Sequence, residues 1–261
     1  MNSMVDVARI APANVAGDLT LSDLRAAIAA GWSDFRAQPN FGLFFATIYV
    51  LVGLFLSHVL LVRGDIIWLA PAAAGFPLLA PFTAVGLYEV SRRREAGLPM
   101  DWRATLCAMR GHGDDQPLMM GGLLFVAFSF WIGLAHGVFA IFMAESGVGS
   151  ESLALFATAP GILMLLAGGV MGALIALALY AITVVSLPLL VDREVDFLTA
   201  IIISLAVIRA NPQVLLIWAA IIAITLFLAM IPLFLGLLVV LPVLGHATWH
   251  LYRRAVMPTN A

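Results

Sequence analysis

Long apolar runs alternate with shorter amphipathic segments along this chain, and the alternation occurs three times. Residues 23–39 (DLRAAIAAGWSDFRAQP), 101–117 (DWRATLCAMRGHGDDQP) and 196–212 (DFLTAIIISLAVIRANP) each set an aspartate sixteen residues ahead of a proline. The residue before the proline is Gln or Asn in every copy, and a hydrophobic run follows. In the first copy Leu24, Ile28, Trp32 and Phe35 fall at helical spacing, while Asp23, Arg25, Ser33, Asp34 and Arg36 take the other face. That pattern predicts an amphipathic helix along the membrane surface, stopped by Pro39, which opens the next helix in its first turn. By the same register Asp23, Asp101 and Asp196 stand at helix starts, where a carboxylate caps free backbone N–H groups, and Pro39, Pro117 and Pro212 begin the hairpins.

The apolar runs 41–62, 66–90, 118–143, 153–191, 214–231 and 233–249 predict six crossings. The second carries Pro71, Pro77 and Pro81, each of which removes a backbone donor and kinks the helix. The fourth exceeds one crossing and has to tilt or protrude. Residues 196–211 are apolar almost all round but too short to span, which predicts a helix at the interface, buried on several sides. Gly133 and Gly137 on the third span and Gly168 and Gly172 on the fourth form two GxxxG spacings, which predict close packing of those spans.

Composition agrees with this pattern: 63% of the 261 residues are hydrophobic and 11% are charged, outside the range of soluble domains. The fold class expected is an all-α integral membrane protein, with six transmembrane helices in three parallel repeats of an interfacial helix plus a two-helix hairpin. The repeats cover 21–97, 98–191 and 192–256 of a single membrane domain (21–256), between a disordered tail at 1–20 and a short tail at 257–261. All thirteen basic residues are arginine, and twelve of them, all but Arg63, fall on one side of a six-span topology. By the positive-inside pattern that side is cytoplasmic, so both termini are expected inside a bacterial inner membrane. Parallel repeats related by an axis along the membrane normal imply a pseudo-threefold bundle.

The net charge of -2 gives no attraction to nucleic acid, and a single cysteine, Cys107, excludes an internal disulfide. No nucleophile with a base, phosphate loop or nucleotide fingerprint occurs. His246 and His250, four apart on one helical face, and His58 and His136, in the outer halves of two spans, are the candidates for a metal or haem. Interfacial packing is the better account of the first pair, and polar packing or outer-interface contacts of the second. No cofactor or metal is expected. Glu89, near a predicted cytoplasmic end, can reach water or an arginine.

The segments GFPLLAPFTAVGLYEVSRRREAG (75–97), SLPLLVDREVDFLTAIIISLAVIRANP (186–212) and GHATWHLYRR (245–254), in that order, resemble an uncharacterised family of prokaryotic integral membrane proteins, some of whose members carry the label cytochrome c oxidase subunit I-like. The resemblance implies a membrane location and brings no catalytic residues with it. The expected function is a non-enzymatic accessory, assembly or lipid-interacting scaffold whose partners are membrane lipids and other membrane proteins. Passage of a small, weakly polar solute and haem binding beside a respiratory oxidase are the alternatives.

Overall fold

A computed structural model describes residues 14–65, 68–75, 80–110, 115–143 and 156–257. Apart from one short strand pair, its regular elements are all helices among these residues. The expected tail at 1–20 is corrected at its inner end. Residues Asn14–Val15 (β1) pair antiparallel with Val256–Met257 (β2), Ala16 and Leu19 are buried, and Asn211 accepts from Leu19 N (3.0 Å) and donates to Ala16 O (2.7 Å). The rest of that tail (1–13), the end of the C-terminal tail (258–261) and Pro77 lie outside the described residues.

Helix α1 (Leu21–Ala37) begins at Thr20 with a capping box. Asp23 Oδ2 accepts from Thr20 N at 2.7 Å, while Thr20 Oγ1 accepts from Asp23 N. Asp23 is therefore the third residue of the helix, in its first turn, and is not its N-cap. Asp101 and Asp196 are the N-caps of α5 (Trp102–Cys107) and α9 (Phe197–Ala210), accepting from Ala104 N and Thr199 N. Pro39 and Pro212 start α2 (Pro39–Arg63) and α10 (Pro212–Met230), and Pro117 is the second residue of α6 (Gln116–Met143). Gln38, ending α1, and Asn211, ending α9, share a backbone conformation (φ -134, ψ 56 and φ -134, ψ 51), so the first and third copies turn into their hairpins in the same way.

Among the described residues, four helices are long and apolar enough to cross a membrane: Pro39–Arg63, Gln116–Phe142, Ala159–Asp192 and Pro212–Met230. Of the expected second run, α3 (Leu69–Gly75) and α4 (Ala80–Glu95) are described, and residues 76–79 lie outside the described residues. The expected sixth starts later than its apolar run, at Leu237, because residues 231–236 form a tight turn with Leu233 and Phe234 in the left-handed region. The helix that follows, α11 (Leu237–Ala255), carries Pro242 and ends in Arg253 and Arg254.

The long fourth run uses its excess length by breaking. Helix α7 (Ala159–Thr183) gives way to α8 (Ser186–Asp192), whose residues 186–191 are all buried. Pro188 has no N–H to donate to the helix there, and Ser204 of α9 enters the gap. Its Oγ donates to Ala181 O (2.7 Å) and accepts from Val185 N (3.3 Å), so the groups released by the break stay paired.

The burial order also differs from the sequence expectation. Helix α9 hides one face only (Ala200, Ile203, Ser204, Val207), and Leu198 and Ile202 are exposed. The helix surrounded on most sides is α11, against which α1, α2, α4, α8 and α10 all pack. Gly31 sets the closest of these approaches: a Cβ there would lie 2.6 Å from Ala247 N and 2.7 Å from Val243 O, so the α1 and α11 backbones nearly touch. Spans α6 and α7 do pack together, but the glycines divide. Gly172 receives the Trp131 ring, whose Nε1 donates to Pro71 O (3.0 Å), and Gly168 faces Val138. The expectation for Gly133 and Gly137 is corrected: among the described residues nothing lies within 4 Å of a Cβ at either position, and the helices meet through an indole seated on a glycine.

Candidate functional site

Asp34 reads in sequence as part of the polar face of α1, yet it is 3% exposed, because Gly31 one turn earlier lets α1 sink onto α11. A buried carboxylate needs partners, and three helices supply them. Ser91 Oγ of α4 donates to Asp34 Oδ2 at 2.6 Å, and His250 Nε2 of α11 pairs with the same oxygen at 2.8 Å. Arg94 of α4 closes an ion pair on Oδ1 and also reaches Ser33 Oγ (3.2 Å). Burial pushes the Asp34 carboxyl up, but hydrogen bonds from His250 and Ser91 outweigh it and hold it at about 2.

His246 is the fourth member. Its Nδ1 lies 2.8 Å from Ser91 Oγ, and since that hydroxyl spends its one proton on Asp34, Nδ1–H is the donor. Nε2 is then a bare acceptor, fully buried and without a hydrogen-bond partner among the described residues, with the Leu87 carbonyl beside the ring. Serine, histidine and aspartate thus meet in the order aspartate–serine–histidine. A hydroxyl that donates to a carboxylate is not activated by the imidazole as an acyl-transfer nucleophile would be. The geometry is that of a clasp joining α1, α4 and α11.

A shell of ion pairs surrounds this clasp at the same end of the bundle. Glu89, itself buried, takes Arg92 (2.7 Å) and Arg93 (3.4 Å). Asp192 of α8 accepts from Tyr252 OH (2.7 Å) and Arg253 (3.1 Å), and Glu95 accepts from Trp249 Nε1 (3.0 Å) and Arg253 (3.1 Å). Arg254 bridges Asp18 (3.1 Å) and Asp23 (3.2 Å).

The other two candidate histidines lie apart from this cluster and from each other's contacts. His136 stacks on Trp68 with centroids 3.9 Å apart and places Nδ1 2.8 Å from Ile132 O, while His58 is exposed and has no partner among the described residues. Nor is any group of three or more His, Cys, Asp or Glu spaced to hold a metal ion among the described residues. Sequence spacing pairs His246 with His250, as the structure does. It gives no sign of Asp34, Ser91 or Arg94, although a glycine one turn before an aspartate on the same face is the available clue.

The second feature is an apolar cleft. Two cavities of about 380 and 410 Å³ adjoin, sharing Ala173 and Ala176 of α7 with Ala223 and Phe227 of α10. Each is within the size range of small-molecule sites, about 300–1,000 Å³. One extends past Trp131 of α6, the other toward Tyr88 of α4 and Gly245 of α11. None of Asp34, Ser91, His246 and His250 lines either cavity. Helix α9 packs beneath both walls, against α7 and α10.

Residues 69–192, from α3 through α8, match the family model DUF2189, described as a predicted integral membrane protein, and this is the uncharacterised membrane family that the sequence resembles. No curated protein and no solved structure matches the chain.

Proposed function

We propose that the protein is a non-enzymatic, lipid-interacting scaffold of the bacterial inner membrane that holds an apolar chain in the cleft between α7 and α10. The cleft carries this reading. It opens between helices long enough to span a bilayer, its shared walls are alanine and phenylalanine, and its polar lining groups are mostly satisfied within the protein. Tyr180 OH donates to Leu215 O (2.8 Å), Thr183 Oγ1 to Leu179 O (2.7 Å) and Thr248 Oγ1 to Leu244 O (2.8 Å). A lining with few free polar groups favours a hydrocarbon over a polar solute. The topology that goes with this reading has six crossings, with α3–α4 and α11 beside the four long spans, three parallel repeats, and both termini cytoplasmic. The pairing of β1 with β2 supports placing the two ends on one side, and the arginine distribution supports that side being the inner one.

Native mass spectrometry of the full chain released from mild detergent tests this. Wild-type protein is expected to retain lipid, and Ala223→Phe, which fills the region common to both cavities, is expected to lose most of it while keeping its melting temperature. Wild-type protein that carries no lipid, or a filled cleft that retains as much, overturns the reading. The adjoining cavities also favour a second reading, passage of a small weakly polar solute, which flux into liposomes containing the protein would reveal.

A further inference from the structure

At the clasp end of the bundle the described arginines fall into two groups. Arg92, Arg93, Arg94, Arg193, Arg253 and Arg254 each face a carboxylate within the protein. Arg25, Arg36, Arg103, Arg110 and Arg209 are exposed and their guanidinium groups have no partner among the described residues. This second group is not scattered. On α1, Arg25, Trp32 and Arg36 are seven and four residues apart and share one face, with Trp32 45% exposed between the two charges. On α9, Leu198, Ile202 and Arg209 share a face in the same way, with Leu198 57% exposed. On α5 and the turn after it, Trp102 and Leu106 are exposed beside Arg103 and Arg110. The three stripes lie at one end of the bundle on either side of α1: Trp102 stacks on Phe41 just past the carboxyl end of α1 (4.0 Å), and Asn211 at the end of α9 binds Leu19 ahead of its amino end.

We infer that these stripes form a binding surface for the headgroups of anionic phospholipids, with guanidinium groups meeting phosphates and Trp32, Trp102, Leu198 and Ile202 seated at the acyl boundary. Charge complementarity carries the inference, which rests on the lipid-interacting reading above and names the lipid class. Of the acidic groups on these segments, Asp23 and Asp34 are engaged by Arg254 and Arg94, and Asp101 and Asp196 cap helices. Asp101 and Asp196 keep their charge there, and Asp115 and Glu194 are the other acidic groups on these segments among the described residues; none of the four lies on the faces that carry Arg25, Trp32 and Arg36 on α1 or Leu198, Ile202 and Arg209 on α9. A planar guanidinium takes phosphate oxygens in pairs, and an interfacial helix with aromatic and basic residues on one face has its apolar part in the acyl boundary and its charge among the headgroups.

The test is competition between phosphatidylglycerol and phosphatidylcholine for the full chain in mixed micelles, read by native mass spectrometry. Wild-type protein is expected to prefer phosphatidylglycerol, by roughly fivefold for each arginine engaged, with the preference falling as salt rises. The variant R25Q/R36Q/R209Q is expected to lose about tenfold or more of it, with an unchanged melting temperature in lipid-free detergent. R36K/R209K keeps the charge and is expected to keep most of the preference. Equal binding of the two lipids by wild type, an undiminished preference in the triple variant, or a stabilisation by inorganic phosphate that matches phosphatidylglycerol overturns the inference. Ala223→Phe separates the two ideas, because filling the cleft lowers retention of both lipids alike. Equal binding of the two lipids by wild type, with total retention intact, defeats the surface and leaves the cleft standing.

Discussion

Replacing Gly31 by leucine is expected to detach α1 from α11. The hydrogen in place of a side chain at this position lets Ala247 N and Val243 O approach to distances at which a Cβ cannot sit, and both are main-chain atoms of a helix. A flexible side chain could swing away, but here the whole helix has to retreat. Overpacking of a tight core costs about 1–3 kcal/mol and sometimes more, and against backbone on both sides the upper end applies, about 3 kcal/mol. Alanine at position 31 is expected to give the same loss in smaller measure. Thermal unfolding in detergent measures it, and limited proteolysis near residues 36–38 reports whether α1 has come loose. A leucine variant that melts with the wild type would mean that the two helices are not held by this approach. By contrast, leucine at Gly133 or Gly137, where no described residue lies within 4 Å of a Cβ, is expected to have little effect.

Asp34→Ala is expected to be at least as damaging for a different reason. It removes the one acceptor shared by Ser91, His250 and Arg94, so a guanidinium and two polar groups lose their partner inside the protein. Breaking a buried charged network by deleting one member costs about 3–5 kcal/mol. Asp34→Asn keeps the shape and removes the charge, which makes it the variant for a pH series. The carboxyl is held at about 2 in the folded protein, below the ordinary aspartate value of about 3.9. Its contribution is therefore fully present above about pH 4 and is lost as pH falls through about 2. Melting temperatures of wild type and Asp34→Asn should differ by a constant amount from neutral pH to about 4 and converge below it. A gap that already closes between about pH 7 and 5 would assign the stabilisation to another group.

The separate visibility of these features has physical causes. Hydropathy locates the four long spans, because length and apolarity along one run are local properties. The threefold spacing of aspartate and proline locates three short helices at the bundle's base. What it does not reveal is which helix lies at the centre. Residues 196–211 look more apolar than 237–255, but apolarity in a bilayer is compatible with facing lipid, and Leu198 and Ile202 do lie exposed. Burial of α11 follows instead from its small and polar residues: Gly245 against Leu87, Ala247 against Gly31, His246 against Ser91. Asp34 is hidden by the same inversion, since a carboxylate on an amphipathic helix reads as solvated until its partners are known. These partners are 57 to 216 residues away in the chain, a distance that no local pattern spans. The break between α7 and α8 is half legible. The run's excess length is plain, whereas the serine that repairs the break comes from another helix.

The clasp between α1 and α11 also has a consequence for biosynthesis. The carboxylate of Asp34 emerges early and its partner His250 follows 216 residues later, with every span of the protein inserted in between. Until then the first helix has neither its groove nor its counter-charges, and it has to wait on the membrane surface, where Trp32 and its two flanking arginines suit it to stay. Completion of the last helix is thus the event that locks the first into its seat, and the β1–β2 pairing beside it joins the two ends. A chain stopped short of residue 237 would leave Asp34 without His250 and α1 without its groove, marking an unfinished product by a loose amino-terminal helix that a protease can reach.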